Sequence, residues 1–556
     1  MKNIIYIVCI SLLTMLSCDD ILDKDPLTAP TSENVLSTSR EVQLALYSAY
    51  DHVDFSWDFS DANEHSGTLN LDTFTDISWN RSDGGIQTIT EGNMSNEIFI
   101  LERYWNNYYQ GIGKVNFILD NLDRASATTD AATLQQFEGE AKFLRAYYYY
   151  MLTALYGDVV LQVTSPTADE SGFALSGQDA VLAQVNADLD DAITLLSPEE
   201  TTKNEANQYT ARALKARVAL YQQDYTTAAS QAQEVIAGGG YGLYPNYREL
   251  FTHSGENSAE IIFSAGYLTN VDDLGLVQLL GPRRSGGDGW SIIIPTRDLV
   301  DSYETVNGLP IDEDPVFDPR NPYANRDPRL NASIFTNGNS DPVFDPGFTF
   351  YVNPDSTNYA DVSSAAASYS GFVWKKYVDG IGLADRRNVG LDIIQIRLAE
   401  MYLIVAEANI ENPSGDLTTA RNALNEIRAR AYAVPASETS EYPSVSSNDR
   451  EELRRTLRRE RKVELAGEGL RLIDIRRWRI AEEVLPGKIY GRALSAEAWE
   501  ENFQVPMIDD ATGHVVYADE SGFERGMGAG TRSFNPATDY FWLVPLSEVD
   551  ANDQID

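Results

Sequence analysis

The run Ala213-Leu214-Lys215-Ala216-Arg217-Val218-Ala219-Leu220-Tyr221 leads into Gln222-Gln223-Asp224-Tyr225 and then into Thr226 through Ala237. Small and apolar residues recur through the first part at helical spacing, and the polar quartet reads as a short turn. The last part is a second helix with Ala228, Ala229, Ala232 and Val235 facing inward. Small inward residues let two antiparallel helices approach closely, and Tyr225 fills the joint. The pattern returns later: Ile396 to Asn409 reads as a first helix, Gly415-Asp416-Leu417 as the turn, and Thr418 to Ala431 as the second helix. There Ala406, Ala408, Ala420 and Ala423 take the small-residue positions. Upstream, Glu138 to Tyr156 places Phe143, Tyr147, Met151 and Leu155 on one face, and Gly157 supplies the stop. Val181 to Leu196 is another amphipathic helix, ended by Ser197-Pro198.

The two helix–turn–helix pairs resemble tetratricopeptide repeats, whose stacked copies build a curved array. The expected fold is therefore mainly α, a helical-repeat scaffold with loop-rich insertions and a few short strands. The alternative is ordinary packing of helical hairpins. Between the pairs, residues 241–390 carry Gly286-Gly287-Asp288-Gly289 and many Pro, Asn and Ser residues, with a short helical segment near Thr296 to Tyr303. This composition predicts loops and short strands. Asp54 to Gly92 is similar, with aromatic residues scattered among polar ones. The expected organisation is residues 31–240 with helix pairs, the loop-rich insertion 241–390, and residues 391–556 with the later repeat helices.

The 556 residues carry a formal charge of −41, with 43 Lys and Arg against 84 Asp and Glu. That balance argues against nucleic acid and against electrostatic adhesion to anionic membranes, both of which need a positive face. A helix expected from about Asp449 to Leu485 is rich in arginine, and pairing with internal carboxylates is its expected role. The four histidines, His52, His65, His253 and His514, form no close pair, and no nucleophile-elbow or phosphate-loop motif is present.

Both cysteines, Cys9 and Cys18, lie at the N-terminus. Lys2 is followed by the apolar run Ile4–Leu13 and then by Ser17-Cys18, too short for a membrane span of about 20 residues. Residues 1–17 read as a secretory signal, and the small residue before Cys18 resembles a bacterial lipoprotein signal. Cys18 would then be lipidated, and acidic residues 18–30 would form a tether.

Several segments together resemble the SusD/RagB family of outer-membrane lipoproteins. They are Phe143-Leu144-Arg145-Ala146-Tyr147 through Gly157-Asp158-Val159; Asn325-Arg326-Asp327-Pro328-Arg329-Leu330; and Arg397-Leu398-Ala399-Glu400 with Ala406-Glu407-Ala408. Glu460-Arg461-Lys462-Val463-Glu464 through Trp478 and a closing strand over Asp539–Pro545 complete the set. The resemblance implies a non-catalytic, cell-surface lipoprotein anchored to the outer membrane. It would capture an oligosaccharide or polysaccharide, or sometimes a peptide, and pass it to a SusC-like TonB-dependent transporter. No ligand residue of the family carries over by motif.

Flat aromatic rings stack on the CH faces of sugars, and amides, carboxylates and guanidiniums bind their hydroxyls. On that chemistry the candidates are Asp76, Trp79, Asn80 and Arg81 in one loop region, Arg283 and Trp290 in another, and Trp374. The alternative for each tryptophan is burial against the scaffold. No catalytic residue and no cofactor is expected. Asp312, Asp314 and Asp318 could offer oxygen ligands to calcium, although their spacing matches no EF-hand. Two alternative functions are a repeat scaffold that binds peptides or proteins, and a glycoside hydrolase using paired carboxylates.

Overall fold

The computed structural model describes residues 35–58, 64–82, 84–167, 170, 172–282, 289–352, 368–492, 505–517 and 531–555. The leader, Cys18 and the whole tether therefore lie outside the described residues, as does Arg283. The long helices are α1 Ser39–Tyr50, α2 Phe99–Asn121, α3 Ala131–Tyr156, α4 Gln178–Leu195, α5 Gln208–Tyr221, α6 Tyr225–Gly238, α7 Leu398–Glu411, α8 Leu417–Ala431 and α9 Arg450–Glu464. No helix among the described residues is long and apolar enough to cross a membrane.

Local chemistry sets these boundaries. Thr38 and Glu41 form a reciprocal capping box at α1, and Asn207 accepts from the Tyr209 and Thr210 amides at α5. Asp224, Asp416 and Asp449 cap α6, α8 and α9 in the same way. Gly157 ends α3 at φ +79°, a conformation that suits a residue without a β-carbon.

The helices stack in chain order. α2 packs on α3, α3 on α4, α4 on α5 and α5 on α6; α7 then packs on α6 although residues 239–397 separate them. The close approach uses small side chains: Ala228 and Ala232 on α6, Ala399, Ala406 and Ala408 on α7, and Ala420 and Ala423 on α8 are all buried. The expected mainly helical repeat scaffold is thus present, and the intervening chain adds its own core of Phe335, Phe344, Phe350, Phe372 and Tyr377.

Three expectations are corrected. Ile393–Arg397 is a strand, paired antiparallel with Ile261–Ala265, so α7 starts later than the periodicity suggests. The arginine-rich helix is not continuous to Leu485: α9 stops at Glu464, and Gly467 and Gly469 take φ of +78° and +77° before a short helix, Arg471–Arg477. No strand forms over Asp539–Pro545; turns lead there into the helix Leu546–Ala551.

The arginines of that stretch pair inwardly as expected: Arg461 and Arg477 bind Asp474, and Arg471 binds Asp76. The neighbouring helices add more such pairs. Arg397 donates to Glu260, Glu464 and Glu468, and Arg430 and Arg329 also reach Glu464. Arg329 further binds Asp327 and Glu460, so the Asn325–Leu330 segment is tied to α9. Burial alone would raise the Glu464 carboxyl, but three guanidiniums hold it far below the usual carboxylate range. On the N-terminal side, buried Arg145 of α3 binds Asp188 of α4 through two parallel hydrogen bonds of 2.8 and 2.7 Å.

Candidate functional site

Two short strands bring the sequence candidates together. β1, Ser78–Asn80, pairs antiparallel with β2, Ile293–Pro295, in the register Trp79 to Ile294 and Asn80 to Ile293. Side chains alternate along a strand, so this register decides which groups face the interior. The Trp79 ring is 0% exposed and packs on Ile294, with Tyr369 and Ile489 beside it. Asn80 is buried next to Asn70, and its side chain accepts from the Ser82 amide. Asp76 is buried between Arg471 at 2.8 Å and Lys462 at 2.9 Å. Burial favours its neutral form, but the guanidinium and the ammonium hold the carboxyl well below its ordinary range.

These positions correct the sequence expectation for Asp76, Trp79, Asn80 and Trp374. The Trp374 ring is 2% exposed and lies under Gly467, where an added β-carbon would sit 3.2 Å from it. All four are structural: the two indoles fill the core, and Asp76 ties the Asp72–Arg81 region to the helix after α9. The aspartates also serve the backbone. Asp314 accepts from Thr305, Asn307 and the Val316 amide, Asp318 from the Arg320 amide, and Asp312 from the Ile508 amide. No group of three His, Cys, Asp or Glu among the described residues is placed to hold a metal.

Arg81 and Trp290 are placed differently. Both are partly buried at the edge of the two-stranded sheet. The Arg81 amide donates to Ile292 O at 3.1 Å, and its guanidinium donates to Ser291 O at 2.9 Å and to Trp290 O. The same guanidinium stands 5.2 Å from the Tyr369 ring centre. Beyond it, Tyr490 and Tyr517 lie 4.5 Å apart centre to centre, and Arg297 stands over Tyr517 at 4.8 Å. The Arg297 amide donates to Tyr490 O, and the Arg492 amide to Ser370 O, which draws the chain near residue 490 onto this face. Asp301 anchors the group, accepting from Arg297 at 2.9 Å and from the Tyr517 hydroxyl at 3.0 Å. Burial first, then the Asp301 charge, pushes the Tyr517 phenol well above its ordinary range, so it stays a neutral donor.

The result is a region, drawn together by these backbone bonds, where partly buried aromatic rings stand beside guanidiniums. Such a surface offers flat apolar area and planar donors. Tyr369, Tyr490, Tyr517 and Arg297 were not among the sequence candidates. The tyrosines come from three separate loops, Arg297 opens the short helix Arg297–Ser302, and no periodicity marks the four.

Fold and face together describe a helical-repeat protein that presents a loop-built surface of aromatic rings and guanidiniums. The profile of the SusD family matches residues 259–556, and a second profile, described as starch-binding associating with outer membrane, matches residues 34–220. The chain belongs to the SusD family. It is similar to SusD-like protein P25 of Formosa agariphila, with 26% identity over 518 residues, 87% of this chain and 91% of the relative. Among solved structures it resembles a SusD-like carbohydrate binding protein from Bacteroides fragilis, with TM-score 0.78, 26% identity, and coverage of 94% of this chain and 99% of the other. Surface glycan-binding protein A of Bacteroides thetaiotaomicron, solved with laminarihexaose, shares the fold at TM-score 0.66 and 20% identity over 93% of this chain and 98% of that one.

Proposed function

We propose that this chain is a non-catalytic, cell-surface glycan-binding lipoprotein that captures oligosaccharides on the face built by Arg81, Trp290, Tyr369, Tyr490 and Tyr517. The signal read in residues 1–17 and lipidation of Cys18 would hold it at the outer membrane, where it would deliver its cargo to a SusC-like TonB-dependent transporter. The observation that carries the reading is the convergence of the two loop regions, so that the Arg81 guanidinium reaches the Trp290 carbonyl and faces the Tyr369 ring. Relatives named for carbohydrate binding support it.

Sugar recognition follows from the chemistry of this face. Ring faces of Trp290 and the tyrosines would cover the CH faces of a glycan. Arg81 and Arg297 are already fixed by protein partners, so they would meet hydroxyls with little further ordering cost.

The test is isothermal titration calorimetry of the full chain in detergent against laminarihexaose and a panel of other oligosaccharides, with unstructured peptides as competitors. Binding by at least one oligosaccharide, weakened tenfold or more by Trp290→Ala, is the expected result. Binding by peptides alone would overturn the glycan reading.

A further inference from the structure

Arg476, on the short helix Arg471–Arg477, is a buried arginine without a carboxylate. The residue is 7% exposed. Its Nη1 donates to the Ala154 and Leu155 carbonyls at 3.3 Å each, where α3 ends, and the Trp542 ring centre lies 5.5 Å from the guanidinium carbon. Nε and Nη2 have no hydrogen-bond partner among the described residues, and no Asp or Glu among them pairs with Arg476. Burial pushes the guanidinium down to about 10 from its ordinary 12.5, partly offset by the Tyr221 and Tyr156 phenols.

Elsewhere in this chain the same edge takes a carboxylate. Arg145, Arg217, Arg454, Arg461 and Arg471 each grip a single Asp or Glu through Nε and Nη2, at 2.6–3.0 Å. Two parallel donors match the two oxygens of a carboxylate in spacing and plane. Arg476 keeps this edge without an internal acid, in a chain that has 84 acidic residues to offer.

Arg476 lines a cavity of about 30 Å3 between the loop 89–94, the helices that follow α9, and residues 533–542. Room for one water begins at about 10–15 Å3, so the space suits two oxygen-sized atoms and is too small for a sugar ring. The walls are largely apolar, with Phe74, Met94, Leu472, Leu485, Phe534 and Trp542. Ile89, Met94 and Phe534 are only partly buried, so the way in is apolar too. The other polar groups of the wall are engaged. Asp539 accepts from the Asn535 amide and the Thr538 hydroxyl at 2.7 Å each, Ser533 donates to Glu91 O at 2.8 Å, and Thr90 donates to Gln87 O at 2.9 Å.

A buried guanidinium without an anion is costly, and two charge-assisted hydrogen bonds to a carboxylate relieve that cost. A four-oxygen anion exceeds the space, and apolar walls disfavour a strongly hydrated one. We infer that this cavity is a binding site for a carboxylate carried on an apolar body, gripped by the Nε–Nη2 edge of Arg476. The body rests on Ile89, Met94 and Phe534 outside the cavity. A free aliphatic or aromatic acid and the C-terminus of a peptide ending in an apolar residue share this chemistry. The inference does not depend on the proposed role of the Arg81–Trp290 face.

The experiment is calorimetry of the full chain in a non-ionic detergent with six probes: hexanoate, benzoate, benzamide, sulfate, and the dipeptide N-acetyl-Gly-Phe with either a free or an amidated C-terminus. At least one of the three carboxylates is expected to bind about tenfold or more tighter than benzamide, sulfate and the amidated dipeptide. Tightest binding by hexanoate or benzoate makes a free acid the source, and tightest binding by the free dipeptide makes it a peptide terminus; the carboxylate assignment stands in either case. Arg476→Lys, which keeps the charge and loses the two-donor edge, should cost about fivefold or more, with thermal unfolding showing that the variant remains folded. Thr90→Phe fills the wall with Arg476 in place and should block binding, so the test does not hang on the arginine variant. Trp290→Ala should leave this binding unchanged. Equal binding of benzamide, tighter binding of sulfate, absence of carboxylate binding, or insensitivity to both Arg476→Lys and Thr90→Phe would overturn the assignment.

Discussion

At Arg397 one guanidinium answers three buried carboxylates, Glu260, Glu464 and Glu468. Replacing it with an apolar residue leaves those charges under-compensated in a dry interior. Removing one member of such a group costs about 3–5 kcal/mol, whereas the intact network adds little net stability over an apolar core. Arg397→Met is therefore expected to lower the thermal midpoint by many degrees, read by calorimetric melting. Glu140 makes a second prediction. Burial pushes its carboxyl up to about 7 from an ordinary 4.5, while Gln136 and Tyr50 donate to it. The fold thus keeps a proton that the unfolded chain releases near 4.5. Stability from this group is fully present below pH 4.5 and is lost as the pH rises through about 7. The melting temperature of Glu140→Gln should consequently fall less between pH 5 and pH 8 than that of the parent chain. Parallel curves would contradict this account of Glu140.

The elements show what the sequence makes readable. Helix ends marked by strong local punctuation, Gly157 after α3 and the turns before α6 and α8, fall within a few residues of where periodicity and turn residues place them. The misreadings share a cause: local pattern continued where tertiary contacts intervened. Ile393–Arg397 runs into α7 without a breaker, and only its pairing with Ile261–Ala265 makes it a strand. The arginine periodicity continues past Glu464, yet Gly467 and Gly469 leave the right-handed region because Asp72 accepts their amides and that of Arg471. At Gly469 an added β-carbon would stand 2.4 Å from the Thr68 carbonyl oxygen, on a backbone at φ +77°. Gly469→Ala is expected to destabilise by about 2 kcal/mol from the left-handed conformation alone, and by more with the contact. Denaturant unfolding reads this directly, and an unchanged midpoint would contradict it.

Across the whole molecule, the fold was more legible than the face. The repeat helices announce themselves through small residues at fixed spacing, because close helix approach demands them. A ligand-stacking tryptophan carries no such mark, since the same ring is also an excellent core filler. Trp79 and Trp374 went to the core, and Trp290 stayed at the edge. Among 30 tyrosines, nothing local distinguishes Tyr369, Tyr490 and Tyr517. They become neighbours only because the insertion closes on the chain near residue 490. Arg81 was legible because a guanidinium among loop aromatics fits sugar-binding chemistry; the structure sets it one residue beyond β1, whose partner strand leads back to Trp290.

The claim on which the rest depends is capture without chemical change on that composite face. Equilibrium dialysis of the full chain against end-labelled oligosaccharides, with the sugars in both compartments then sized by chromatography, tests it most directly. The account predicts that at least one glycan concentrates on the protein side at its original length, and that Trp290→Ala abolishes the enrichment. Shortened products, or the same enrichment with the variant as with the parent chain, would contradict it.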